Sequence, residues 1–218
     1  MLSRKYRALS SLAILLCASS SYALACSGET VLFEDDFTES DNGNWLIWPT
    51  DQTYIKAEKG HLSFRPPSNS GRTSRVVTAL FPADVDICAT GMIMTSTGKP
   101  SDIQMSIDFW ANGLSDYYNF GVNGEGMGNL SRWNGKSWNT IYPQQKMQGF
   151  RIGVGEENTL RVMTKDGLIS LFVNGTQVAK IKQVKPTGLM QAGVRVFNSQ
   201  AKVPVNVEFS SFKVTDLP

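Results

Sequence analysis

Along most of the chain, apolar and polar residues alternate one by one, the period of a strand with one buried face. The clearest case is 158–182, NTLRVMTKDGLISLFVNGTQVAKIK. Leu160, Val162 and Thr164 alternate with Arg161, Met163 and Lys165, and Ile169, Leu171 and Val173 continue the apolar set. Asp166-Gly167 and Asn174-Gly175 tolerate positive φ, which two-residue hairpin turns require. The stretch therefore predicts an antiparallel meander of three strands. Val178 and Ile181 of the third strand stand in opposite phase, so the pattern alone does not say which side of it is buried.

The same period recurs upstream. Ile103, Met105, Ile107 and Phe109 alternate with Gln104, Ser106, Asp108 and Trp110; Tyr118, Phe120 and Val122 alternate with Tyr117, Asn119 and Asn123. Segments 74–81 and 85–94 read as longer strands rich in β-branched residues. Segments 130–133 and 138–142 frame Asn134-Gly135, a further hairpin signal. Val31, Phe33 and Phe37 bracket Glu34-Asp35-Asp36, an opening strand that runs into an acidic loop. The segments 54–57 and 61–65 flank Glu58-Lys59-Gly60, and PPSNSGR at 66–72 is a loop by composition. Downstream, 189–197 and 205–214 alternate again, with Arg195 and Phe197 opposite Val194 and Val196.

No segment keeps a 3.6-residue period over three turns. About a dozen short strands at turn-limited spacing predict an all-β, two-sheet antiparallel sandwich of the jelly-roll kind. No linker or composition shift divides 26–218, so one domain is expected.

Residues 1–25 read as a signal peptide. Arg4, Lys5 and Arg7 form a positive start, a short apolar run follows, and Ala23-Leu24-Ala25 offers small residues where a signal peptidase reads. The run is too short to span a bilayer, and no later segment approaches the roughly 20 apolar residues that a span needs. Export to the periplasm or the extracellular space is expected. Three of the 21 basic residues lie in this leader, which leaves 18 against 19 acidic ones and a net charge of −1. That balance excludes a nucleic-acid footprint. Of three cysteines, Cys17 leaves with the leader. Cys26 and Cys88 remain as a pair in an oxidising compartment, and a disulfide is the first reading. The second makes Cys26 a lipidated residue, although Ala23 stands where lipoprotein signals place leucine.

The hairpins of 158–182 resemble the late hairpins of bacterial concanavalin A-like jelly rolls. These are the laminin-G-like modules and the relatives named for 3-keto-disaccharide hydrolase. FEDDF at 33–37, IDFWAN at 107–112, YYNFGVNGEG at 117–126, RWNGKSW at 132–138 and EFSSFKVTDLP at 208–218 carry the same resemblance. It implies a fold more than an activity, because such modules serve as lectins, hydrolases and structural domains.

The residues narrow the chemistry further. A glucanase of this superfamily would need a close carboxylate pair on one strand, in a pattern resembling Glu-x-Asp-x-x-Glu. Asp108 is alone within QMSIDFWA. His61 is the one histidine in the chain, which disfavours catalytic triads and imidazole metal clusters. A structural calcium would draw on Glu34, Asp35, Asp36 and Asp216 if the first and last strands pair; no other cofactor is expected. The strand phases put Asp108, Trp110, Tyr117 and Asn119 on one outward face, with Trp133 and Trp138 placed to extend it. Aromatic faces suit the apolar CH side of a sugar ring, and amides and carboxylates suit its hydroxyls. Packing at the sandwich edge fits the same tryptophans, and is the reading for Trp45 and Trp48. The expected function is a non-catalytic module binding a carbohydrate or a cell-envelope glycan. The alternatives are an enzyme of the 3-keto-disaccharide hydrolase type using Asp108 or Glu208, and a purely structural envelope protein. Oligomeric state is not legible.

Overall fold

The computed structural model describes residues 26–39, 44–46, 55–65, 73–95, 98–199 and 205–218. The expected leader at 1–25, Trp48 and the expected loop at 66–72 lie outside the described residues. In chain order the strands are β1 (Val31–Asp35), β2 (Trp45–Leu46), β3 (Ile55–Glu58), β4 (His61–Phe64), β5 (Thr73–Val77), β6 (Asp86–Ile93), β7 (Ile103–Asn112), β8 (Asp116–Asn123), β9 (Met127–Trp133), β10 (Trp138–Lys146), β11 (Glu157–Lys165), β12 (Leu168–Val173), β13 (Thr176–Lys182), β14 (Gln191–Asn198) and β15 (Val207–Thr215). One 3₁₀ turn, Pro100–Asp102, precedes β7.

Two antiparallel sheets form the sandwich. The eight-stranded sheet runs β13-β12-β11-β6-β15-β4-β3, with β1 paired to the last half of β15. The seven-stranded sheet runs β10-β9-β8-β7-β14-β5-β2. Their inner faces meet in one core, where Ile107, Phe109, Phe120, Leu130 and Val194 of one sheet oppose Leu160, Val162, Leu171, Phe209 and Phe212 of the other. In β11 the alternation read from the sequence is the alternation of burial. Every second residue from Asn158 to Thr164 is buried and those between are half-exposed.

The predicted turns form as expected. Asp166 and Gly167 sit at φ 51° and 78°, Asn174 and Gly175 at 48° and 80°, so both hairpins close through left-handed pairs. Val178 owes its odd phase to a bulge. Leu171 pairs with Ala179 but Phe172 pairs with Gln177, which leaves Val178 as the extra residue. Val178 and Ile181 both pack against the core.

Cys26 and Cys88 are joined in a disulfide with Cα atoms 5.7 Å apart. It pins the segment before β1 to the outer face of the eight-stranded sheet. Beside it, Arg161 Nε and Nη2 donate to the fully buried Asp86 at 2.8 and 2.7 Å, and Ser27 N donates to the same carboxylate at 3.1 Å.

Candidate functional site

The outward face of the seven-stranded sheet is built by pairing register. Asp108 lies between Asn119 of β8 and Gly193 of β14; Ser106 lies between Gly121 and Arg195. Tyr117 pairs with Trp133, Asn119 with Ser131 and Gly121 with Asn129 on β9, and Trp138 of β10 pairs with Trp133. Period-2 alternation sends all these side chains away from the core.

Polar side chains form the floor. Asn119 Nδ2 donates to Asp108 Oδ1 at 2.6 Å and to Ser106 Oγ at 2.9 Å. Gln104 Nε2 donates to Asn129 Oδ1 at 3.1 Å, and Asn129 Nδ2 donates to Ser131 Oγ at 2.8 Å. Gly121 makes the second chain feasible. A Cβ there would stand 2.5 Å from Gln104 Cδ, so only glycine lets Gln104 lie across β8 to reach β9. Ser106, Asp108, Asn119 and Ser131 are all buried although they face away from the core.

Aromatic rings and one cation cover this floor. The Trp133 and Trp138 rings lie 5.5 Å apart, and Tyr117 meets Trp138 edge-on at 5.6 Å. Arg195 places its guanidinium 4.9 Å from the Trp138 ring and 5.7 Å from that of Tyr117, and Nη1 donates to Tyr117 Oη. Strands β10 and β14 are four spacings apart, roughly 19 Å at about 4.8 Å each. Side chains so far apart meet only across a concave face. A groove of about 320 Å³ remains beside this bridge, lined by Gln104, Asn119, Asn129, Ser131, Trp138, Arg195 and Phe197.

The structure brings Asp108, Tyr117, Asn119, Trp133 and Trp138 to one face and removes Trp110 from it. From Asp108 to Ala111 β7 advances three residues while β14 retreats two, from Gly193 to Gln191. Phe109 to Asn112 likewise opposes Tyr118 to Asp116 on β8. The extra residue is Trp110, at φ 47°, and the bulge turns its side chain inward. Its ring packs on Phe109 and Tyr118, and Nε1 donates to the Ala83 carbonyl at 2.7 Å. Trp110 is a core residue.

The carboxylates proposed for calcium do not converge. Asp35 pairs with Phe212, four residues before Asp216, a separation of roughly 13 Å along the strand. Asp35 accepts from Phe37 N and Trp45 Nε1 at 2.8 and 2.7 Å. The Thr38 hydroxyl and backbone N–H hold the Asp36 carboxyl below its ordinary value, and Thr30 N–H does the same for Asp216. Asp108 and Glu208, the enzyme candidates, lie in different sheets; Glu208 accepts from Asn206 Nδ2 at 2.9 Å.

Arg195, Asn129, Ser131 and Phe197 are groove residues that the sequence did not single out. The phases of Arg195 and Phe197 were readable, but the pairing of β14 with β7, some 90 residues earlier in the chain, was not; Asn129 lies in GEGMGN, whose glycines read as a turn although β9 begins there at Met127.

The sequence matches no family model and no curated protein. Solved structures do resemble the sandwich. A β-1,3-1,4-glucanase (lichenase) from a mouse hindgut metagenome superposes with a TM-score of 0.64 at 9% identity, covering 85% of this chain and 99% of its own. The β-glucanase of Bacillus licheniformis gives 0.63 at 11% identity, with 84% and 97% covered. Carbohydrate-binding module CBM66 from Bacillus subtilis gives 0.57 at 12%, with 82% and 94% covered. The fold is the concanavalin A-like jelly roll. At these identities the likeness establishes that fold and leaves the groove to be judged on its own residues.

Proposed function

We propose that this chain is an exported, non-catalytic module that binds a carbohydrate through the concave groove of the seven-stranded sheet. The observation that carries the reading is the lining itself, with amides and hydroxyls beside Trp138 and Phe197. A pyranose presents apolar CH faces and a rim of hydroxyls. Trp138 and Phe197 suit the first, and Gln104, Asn119, Asn129 and Ser131 suit the second. The disulfide and the signal-like leader support export. A glycan-binding module and two glucanases share the fold, which supports the ligand class without fixing the reaction.

Binding is favoured over hydrolysis because a retaining glycosidase needs two carboxyl groups about 5–5.5 Å apart. Among the described residues, pairing register places one carboxylate on this face, Asp108. It is fully buried and bonded to Asn119.

A glycan array followed by calorimetric titration tests the reading. The wild-type chain is expected to bind at least one oligosaccharide class, and Trp138→Ala is expected to weaken it by about tenfold or more, or roughly 1.4 kcal/mol, while keeping its far-UV circular dichroism and its cooperative unfolding. Binding untouched by that substitution, or no glycan binding at all, contradicts it.

A further inference from the structure

The groove holds a group that an aromatic and amide platform does not require. Arg195 is 4% exposed, yet it lines the groove. Arg132 and Arg161 each hold a carboxylate in two-pronged contact, Asp116 and Asp86 respectively. Arg195 has no ion pair among the described residues. One of its five N–H donors is assigned, to Tyr117 Oη, and two aromatic rings flank the group.

A guanidinium withdrawn from water needs a counter-charge, and cation–π contacts recover only part of the lost hydration. Among the described residues, the other charge that pairing register places on this face does not meet a ligand. Asp108 is fully buried under the floor network and does not line the groove. The charge presented to an incoming molecule is therefore positive. The guanidinium stands beside both rings, and its planar fork matches a carboxylate or sulfate through paired hydrogen bonds. Glutamine, asparagine and serine at the neighbouring positions remain for sugar hydroxyls.

We infer that the groove selects glycans bearing an anionic substituent, a uronate carboxylate or a sulfate ester, with Arg195 as the anchor. This rests on the reading of the groove as a glycan site. Arg195 supplies charge and orientation; Trp138 and Phe197 supply contact area. The two anion sources share one chemistry, and the probes separate them.

Calorimetric titration would use tetragalacturonate, its methyl ester, a sulfated galactan tetrasaccharide and its desulfated form. The wild-type chain is expected to bind one acidic probe at least about tenfold more tightly than its neutral counterpart, and to lose that preference in high salt. Arg195→Gln is expected to abolish the preference for an acidic probe over its neutral counterpart, and Trp138→Ala to weaken both. Should Arg195→Gln fail to fold, Arg195→Lys carries the test, keeping the charge but losing the fork and most of the preference. Equal affinity for acidic and neutral probes, or a preference that survives Arg195→Gln, overturns the inference. If neutral probes bind and depend on Trp138, the glycan reading stands while this inference falls. If no probe and no array glycan binds, both fall.

Discussion

Trp110 shows how much one residue's backbone decides. At φ 47° a bulky residue sits in a sparsely populated region, at a cost on the order of 1–3 kcal/mol. That cost is offset by a fully packed indole whose N–H is bonded to Ala83 O. Trp110→Ala is therefore expected to lose about 3–5 kcal/mol of stability in urea unfolding, with no direct effect on ligand contact. Stability within about 1 kcal/mol of the parent contradicts the inward placement. The strict alternation through Ile103, Met105, Ile107 and Phe109 predicts the opposite orientation, because sequence period carries no mark of a bulge. Asp108 and Asn119, two residues short of it, sit on the predicted face, facing each other across β7 and β8.

Among elements, local pairing was readable and remote pairing was not. The β11–β12 and β12–β13 hairpins follow from Asp166-Gly167 and Asn174-Gly175, whose backbone freedom fixes the register within a few residues. The Asn134-Gly135 signal also marks a hairpin, closed by Asn134 Oδ1 accepting from Lys136 N and Ser137 N at 3.0 and 2.9 Å. The lodging of β14 against β7 depends on which faces complete the core, and that places Arg195 in the groove. The disulfide couples elements in a similar remote way, joining positions 62 residues apart. Chain-entropy arguments give such a link roughly 4 kcal/mol. Cys26→Ser with Cys88→Ser is expected to cost about 2–5 kcal/mol in thermal or urea unfolding. Alkylation without reductant is expected to label neither cysteine of the parent. An equally stable double variant, or a labelled thiol, contradicts the bridge.

At the scale of the molecule, the two outer faces divide the work. The eight-stranded sheet turns outward the disulfide and the Asp86–Arg161 pair, which tie down the segment before β1. The seven-stranded sheet curves around a polar floor bridged by Arg195 and Trp138. The hairpins at 158–182, where the sequence speaks most clearly, lie in the first sheet, and the groove lies in the second. Among the described residues no helix is long and apolar enough to cross a membrane. The most direct test of the groove as the binding site is the set of indole N–H resonances in a ¹⁵N-labelled chain, titrated with the tightest oligosaccharide from the array. Trp133 and Trp138 are expected to shift with ligand, while Trp45 and Trp110, bonded to Asp35 and Ala83 in the core, hold still. Shifts at Trp45 and Trp110 with Trp133 and Trp138 unmoved, or no shift at saturation, would contradict it.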